Sequence, residues 1–328
     1  MSRVTLFLGF IAAPVVWVAG VWLLSDLITR WPALAPFVWI DTASSPDGLE
    51  WWVAVRTPMG FLLATSAVLL VELSVRGWER SALRRLFVAP TPSSRVDRFY
   101  LLMRVAGGLH VLAFVLSFGL LFWAARQLHD WLGISLLRDW HWAAQFVVVY
   151  VVHGLVFYWG HRLMHTRWFW TIHKVHHAAE ELNVVTPLRN HPIDLAVMTL
   201  LHIGPAALLG ASPLVVVIHA GVNALYQAFV HSELHWRGRL WDAIWITPAA
   251  HRLHHSNRPD HFDHNFGILT VWDRVFGTYL PPDPSGPGAP AITYGVEDGD
   301  LFNSPKHLRE VLANVRRWFL SVAPHARR

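Results

Sequence analysis

The sequence predicts an all-α, polytopic membrane protein, on three observations. Hydrophobic residues make up 54% of the 328 positions and charged residues only 15%, whereas a soluble domain of this size carries about a quarter charged residues. The apolar residues are bunched: Val4–Leu24 and Val105–Ala125 hold no Asp, Glu, Lys or Arg, and each is close to the roughly 20 residues a helix needs to cross the hydrocarbon core. Nineteen tryptophans supply the amphipathic rings that anchor helices at the two interfaces.

Taken in order, the first crossing is Val4–Leu24. A single arginine precedes it and no small-residue cleavage site follows, so it reads as a retained helix rather than a leader. The second includes Met59–Val71, between Arg56 and Glu72. The third is Val105–Ala125 and the fourth Trp140–His161. Between the second and third lie Arg76, Arg80, Arg84, Arg85, Arg95, Arg98 and Arg104 against Glu79 and Asp97. Residues 25–50 are acidic on balance, and 126–139 are balanced. An excess of Lys and Arg in short loops marks the cytoplasmic face. This places 76–104 and the N-terminus inside, and it delivers the chain to the cytoplasm near Gly160. The net charge of +5 is accounted for by these loops, without nucleic acid as a partner.

Leu195–Ser232 has no charged residue over 38 positions, too long for one crossing and slightly short for two. Gly204–Pro205 and Gly210–Pro213 are breakers, and a helical hairpin that dips into the membrane and returns to the same face fits best. Residues 281–300, rich in Pro, Gly and Asp, read as a loop. Ser304–Pro305 then look like an N-cap and first-turn pair. Leu308, Val311, Leu312, Val315, Phe319 and Val322 form a helical stripe, set to rest on the membrane surface or to pack on the rest of the cytoplasmic part. Three regions follow: 1–139, membrane helices and their loops; 140–280, a histidine-rich region including the hairpin; and 281–328, a loop and an amphipathic helix. No cysteine is present, which excludes disulfide frameworks, thiolate metal sites and cysteine nucleophiles.

The histidines carry the chemistry. Five of the chain's 21 fall in residues 161–177 and five in 231–255. His161 and His165 form HxxxH, and His173, His176 and His177 form HxxHH. His231 and His235 repeat the first spacing, and His251, His254 and His255 the second. Positions three and four apart share a helix face, so each motif aims its imidazoles at one point. Neutral imidazole suits Fe, Zn, Cu or Ni, and ten ligands exceed one ion's shell, so the count suits two ions with about five histidines each. His110, His153, His202 and His219, inside the apolar segments, read as hydrogen-bonded core or pathway residues.

The order of these boxes, with an apolar hairpin between the second and third, resembles the fatty acid hydroxylase/sterol desaturase superfamily. The flanks agree: Tyr158-Trp159-Gly160-His161-Arg162, Trp168-Phe169-Trp170-Thr171-Ile172-His173, Asp263-His264-Asn265-Phe266-Gly267, and Val271 to Tyr279. The likeness covers about 140–280, nearest to bacterial sterol-desaturase-like and alkylglycerol-monooxygenase-like members. It implies that the ten box histidines hold two irons, or zinc in a purified sample, and that O2 is co-substrate. It implies oxidation of a lipid C–H bond by hydroxylation of a fatty-acyl, sterol-like or alkyl-ether lipid, with desaturation as the alternative outcome. Nothing beyond the metal ligands is required as a catalytic acid or base. Asn183, Arg189, His191 and Asp194 lie in a stretch similar to the family's polar segment after box two. His191 and Asp194 would orient ligand imidazoles or cap the hairpin, and Asn265 would hold a metal-bound water or cap a turn. No nicotinamide or flavin fingerprint is visible, so a separate electron donor (a ferredoxin, a cytochrome b5-like protein or a reductase) is implied. The setting expected is a bacterial inner membrane with the boxes on the cytoplasmic side. Two other classes remain: a membrane metal transporter or store, and a b-type haem protein using His110 and His153.

Overall fold

The computed structural model describes residues 65–105, 136–234, 239–282, 292–304 and 306–322, with positions 108, 127 and 131. The predicted crossings at Val4–Leu24 and Val105–Ala125 and most of that at Met59–Val71 lie outside these residues. What is described is all-helical, with two isolated bridges, Trp245 with Leu269 and Ser256 with Tyr294, and no sheet among the described residues.

After a helical stretch at 65–76 come α1 (Ala82–Phe87) and α2 (Pro92–Val105). Thr91 Oγ1 accepts the Ser94 N–H at 3.1 Å, and Pro92 opens α2 where a missing N–H costs nothing. The long helix α3 (Trp142–Met164) is capped by His141, whose ring accepts the Ala143 N–H. Box one ends α3, and a tight turn leads into α4 (Trp170–His177), which carries box two. Helices α5 (Pro192–Leu208) and α6 (Pro213–His231) follow, then α7 (Arg239–Ile244), α8 (Pro248–His254) with box four, α9 (Thr270–Val275), α10 (Gly299–Phe302) and α11 (His307–Val322).

The hairpin is therefore two antiparallel helices. Its turn falls where Gly210 takes φ 68, a left-handed conformation only glycine adopts cheaply. The other expected breaker is corrected: Gly204–Pro205 does not interrupt α5, which runs through Pro205 to Leu208. Among the described residues two helices are long and apolar enough to cross a membrane, Trp142–Met164 and Leu214–His231, with Pro192–Leu208 a shorter apolar helix. Helix α3 packs against both arms of the hairpin. At one end Leu137, Val149, Ala206 and Val215 make a core. At the other Met164, Ile172 and Ile193 seal the helix ends beside the histidines.

Helix α11 begins at His307, two residues later than the Ser304–Pro305 pair predicts; Ser304 Oγ instead accepts the Lys306 N–H. It packs on the box-two helix: Val311 is buried, Asn314 Nδ2 donates to the Thr171 carbonyl at 3.2 Å, and Trp318 Nε1 to the Trp168 carbonyl at 3.1 Å. Leu308, Leu312 and Phe319 remain exposed.

Candidate metal centre

Nine of the ten box histidines lie in the described residues, and the fold gathers them into two groups. His161, His165, His173, His177 and His254 form one; His176, His231, His251 and His255 form the other. Within each group the nearest ring nitrogens all lie within 4.8 Å of one another. His235, the tenth, falls outside the described residues. The grouping does not follow the boxes. Adjacent residues on a helix point about 100° apart, so the paired histidines of each HxxHH part company: His177 and His254 go to the first group, His176 and His255 to the second.

Ring orientation comes from backbone carbonyls, which only accept. His161 Nδ1 donates to the Phe266 carbonyl at 2.8 Å, His254 Nδ1 to the His264 carbonyl at 2.8 Å, and His231 Nδ1 to the Gln227 carbonyl at 2.9 Å. With the proton on Nδ1, each neutral ring turns an Nε2 lone pair inward. His254 Nε2 then faces His161 Nε2 at 3.1 Å. Two lone pairs that close repel, and a cation between them removes the repulsion. Protonating a ring would also do so, but burial first, and then the neighbouring rings, hold His165, His176, His177, His251 and His255 well below the usual imidazole range. Burial lowers His254 to about 3. The Nε2 atoms of His165 and His177 are buried without a partner. Neutral imidazoles with inward lone pairs fit divalent transition ions.

The His264 and Phe266 carbonyls reach the centre because of a strained loop. Asp263 and Asn265 take φ 60 and φ 58, uncommon outside glycine. Asn265 pins this loop: its Nδ2 donates to the Ala250 and Leu280 carbonyls at 3.0 and 2.9 Å, and its Oδ1 accepts the Leu280 N–H. Its side chain is spent on backbone. Asp273 completes the support by accepting from the Phe266 and Gly267 N–H groups, both at 2.8 Å, and from Thr278 Oγ1. Burial raises the Asp273 carboxyl to about 6 against those three bonds.

Of the other predicted residues, Asp194 Oδ2 lies 3.3 Å from His173 Nδ1. It is fully buried, and the shorter aspartate still reaches the ring. His191 caps α5, accepting the Ile193 N–H at 3.2 Å. Asn183 and Arg189 sit a layer away from the imidazoles. Asn183 Nδ2 donates to Asp97 Oδ2 at 2.7 Å. Arg189, wholly buried, donates to the Val175 carbonyl at 2.8 Å and to Asn303 Oδ1 at 2.7 Å, and pairs with Asp97 at 3.5 Å. It thus ties box two to α2 and α10. Burial raises Asp97 to about 6 despite that arginine. The sequence reading missed Asp97, Asp273 and the three carbonyls. Asp273 was visible inside a quoted flank, whereas carbonyl anchors leave no mark in side-chain identity.

Apolar helices thus end in two buried histidine groups, each of which could hold a metal ion. Residues 146–278 match the family model for fatty acid hydroxylase. Alkylglycerol monooxygenase of Danio rerio is 37% identical over 144 residues, 43% of this chain and 31% of the relative. Ornithine lipid hydroxylase OlsE of Rhizobium tropici is 36% identical over 151 residues, 45% of each chain. Methylsterol monooxygenase 2-2 of Arabidopsis thaliana is 24% identical over 139 residues, 42% of this chain and 52% of the relative. The chain spans about a third of the length of the alkylglycerol monooxygenases it matches. No solved structure matches it.

Proposed function

We propose that this chain is a membrane-bound di-iron lipid monooxygenase that hydroxylates a C–H bond of a fatty-acyl, sterol-like or alkyl-ether lipid. The observation that carries the reading is the pair of imidazole groups, within each of which ring nitrogens turn inward toward one another. His161, His165, His173, His177 and His254 would hold one iron, and His176, His231, His251 and His255, with His235, the other. When bound, the irons supply O2 activation and attack on an unactivated C–H bond.

The chain's own residues set the conditions for that chemistry. Burial of the histidines excludes water from the centre, and the carbonyls of Phe266, His264 and Gln227 fix which nitrogen each ring presents. Asp194 steadies His173 from the far side, as buried carboxylates do behind ligand rings. Among the described residues the two groups contain histidines and no carboxylate, so two bound irons would keep most of their positive charge. Oxygen insertion beside an ether oxygen would release the alkyl chain; removal of a second hydrogen would give a double bond. The relatives' names favour insertion. A separate electron donor and a membrane setting on the cytoplasmic side belong to the same proposal.

Metal analysis of the purified protein tests it. About two irons per chain without a haem Soret band is expected. Haem would indicate a cytochrome, and variable loading without O2 consumption a transporter. Lipid profiling with and without the gene separates a gain of one oxygen from a loss of two hydrogens.

A further inference from the structure

The two histidine groups are not equally enclosed. Of the nine box histidines described, eight are buried and only His165 is partly open to the surface. Its Nε2 is nevertheless buried, so that nitrogen faces the centre while another part of the residue faces out. The first group thus has an outer edge. The second has none among the described residues.

Two rings other than histidine lie against His165. Phe266 stands 5.0 Å away between centroids and is 1% exposed, so it covers the inner side. Trp170 stands 5.2 Å from His165 and 5.3 Å from His177, and it is only half-buried. It spans ligands from two boxes and is the ring between them and solvent. An indole buries about 150–250 Å² against its neighbours, a plate wide enough to cover both.

Local structure makes this cover movable. Trp170 is the first residue of α4, and Phe169 before it supplies no side-chain cap. The turn from α3 is held by its own backbone, where the Thr166 carbonyl accepts the Phe169 and Trp170 N–H groups at 3.0 and 2.8 Å. From outside it is held by α11, through the Trp318 bond to the Trp168 carbonyl. Arg167 and Trp168 are exposed. A helix end with few buried contacts opens locally at less cost than the core does.

We propose that the edge at His165 and Trp170 is the entrance of the metal centre, through which the first ion is loaded and reached by water-borne solutes. Trp170 is the positioning residue that keeps it closed. The proposal rests on the metal-binding part of the monooxygenase reading and not on the lipid. It makes the two ions unequal. The ion held by His161, His165, His173, His177 and His254 exchanges through this edge, and its neighbour, behind buried rings, exchanges slowly.

Release of iron from the loaded protein to an excess of water-soluble chelator, followed by the absorbance of the chelate, tests this. Wild type is expected to lose iron in two phases of about one ion each. Trp170→Ala should quicken the fast phase about tenfold or more, the scale on which a residue behind a ligand acts, and leave the slow phase unchanged. Trp170→Phe keeps a flat ring and should restore most of the wild-type rate. His165→Ala assigns the phases, because the iron it retains should leave at the slow rate. Unchanged release in Trp170→Ala overturns the proposal. So does equal acceleration of both phases, which would mean a loosened domain and not an opened edge. Single-phase release from wild type, or retained iron that leaves His165→Ala at the fast rate, overturns it even if Trp170→Ala fails to fold. Protein that takes up no metal sinks both readings. Selective acceleration without any lipid oxidation sinks only the monooxygenase reading and leaves the entrance standing.

Discussion

At the scale of single residues, the centre depends on groups that hold imidazoles without touching metal. Asp194 lies behind His173 at 3.3 Å with its second oxygen buried and unpaired. Asp194→Ala is expected to lower iron affinity by about 10–100-fold, measured as iron retained against a graded chelator; unchanged retention would show that the ring is held by packing alone. His191 makes a pH prediction. Burial depresses it to about 3, against 6.5 when unfolded. Below pH 6.5 the unfolded chain binds a proton that the folded one refuses. The stability this ring contributes is therefore present above 6.5 and lost as pH falls toward 3, at up to about 1.4 kcal/mol per pH unit. Asparagine is also a good N-cap, so His191→Asn should keep α5 intact. It should flatten the fall in Tm between pH 6.5 and about 4.5. Parallel Tm profiles for the two proteins would refute this.

At the scale of elements, the sequence made some features legible and hid others, for physical reasons. Helices α3, α4 and α8 could be read because HxxxH and HxxHH bring their histidines together at helical spacing, whereas α6 ends at His231 and Ser232 is extended, so the box-three spacing is not a helical one. The hairpin was legible from its lack of charge. Its turn at Gly210 was identified, while the supposed break at Pro205 was not real. A proline deep in an apolar helix loses one hydrogen bond and can be carried by packing against neighbours, and Pro205 is buried. The role of the loop at 263–267 leaves no mark in the sequence, because its work is done by carbonyl oxygens and by left-handed backbone. Close packing was also invisible. A Cβ on Gly160 would come within 2.2 Å of Leu201 Cδ1, so α5 packs closely on α3 one residue before His161. Gly160→Ala is expected to cost about 1–3 kcal/mol and to loosen iron binding at the helix end. Because the obstructing atoms are the tip of a side chain, Gly160→Ala/Leu201→Ala should recover much of the loss. If the double variant is no more stable than Gly160→Ala alone in thermal unfolding, backbone separation is not what the glycine secures.

At the scale of the whole molecule, the sequence presents two matched halves, and the natural expectation from repetition is one ion per half. The fold exchanges a ligand between them. His254, from the second half, joins four histidines of the first, and His176, from the first, joins three of the second. Each group is thus completed only when α8 packs on α6 and α4 brings His176 against His231, which links metal binding to assembly of the domain. Paired substitutions distinguish exchange from independent halves. Each of His165→Ala, His251→Ala and His254→Ala should lower iron from about two per chain to about one. His165→Ala/His254→Ala removes two ligands of one ion and should retain about one iron. His251→Ala/His254→Ala strikes both ions and should retain almost none, although both changes lie in a single box. Independent halves predict the reverse: the box-four double variant would keep the first half's iron, and the His165/His254 double variant would lose both. Iron per chain, measured on protein whose helical content matches wild type, decides between them, because only the exchanged arrangement makes neighbours in sequence belong to different ions.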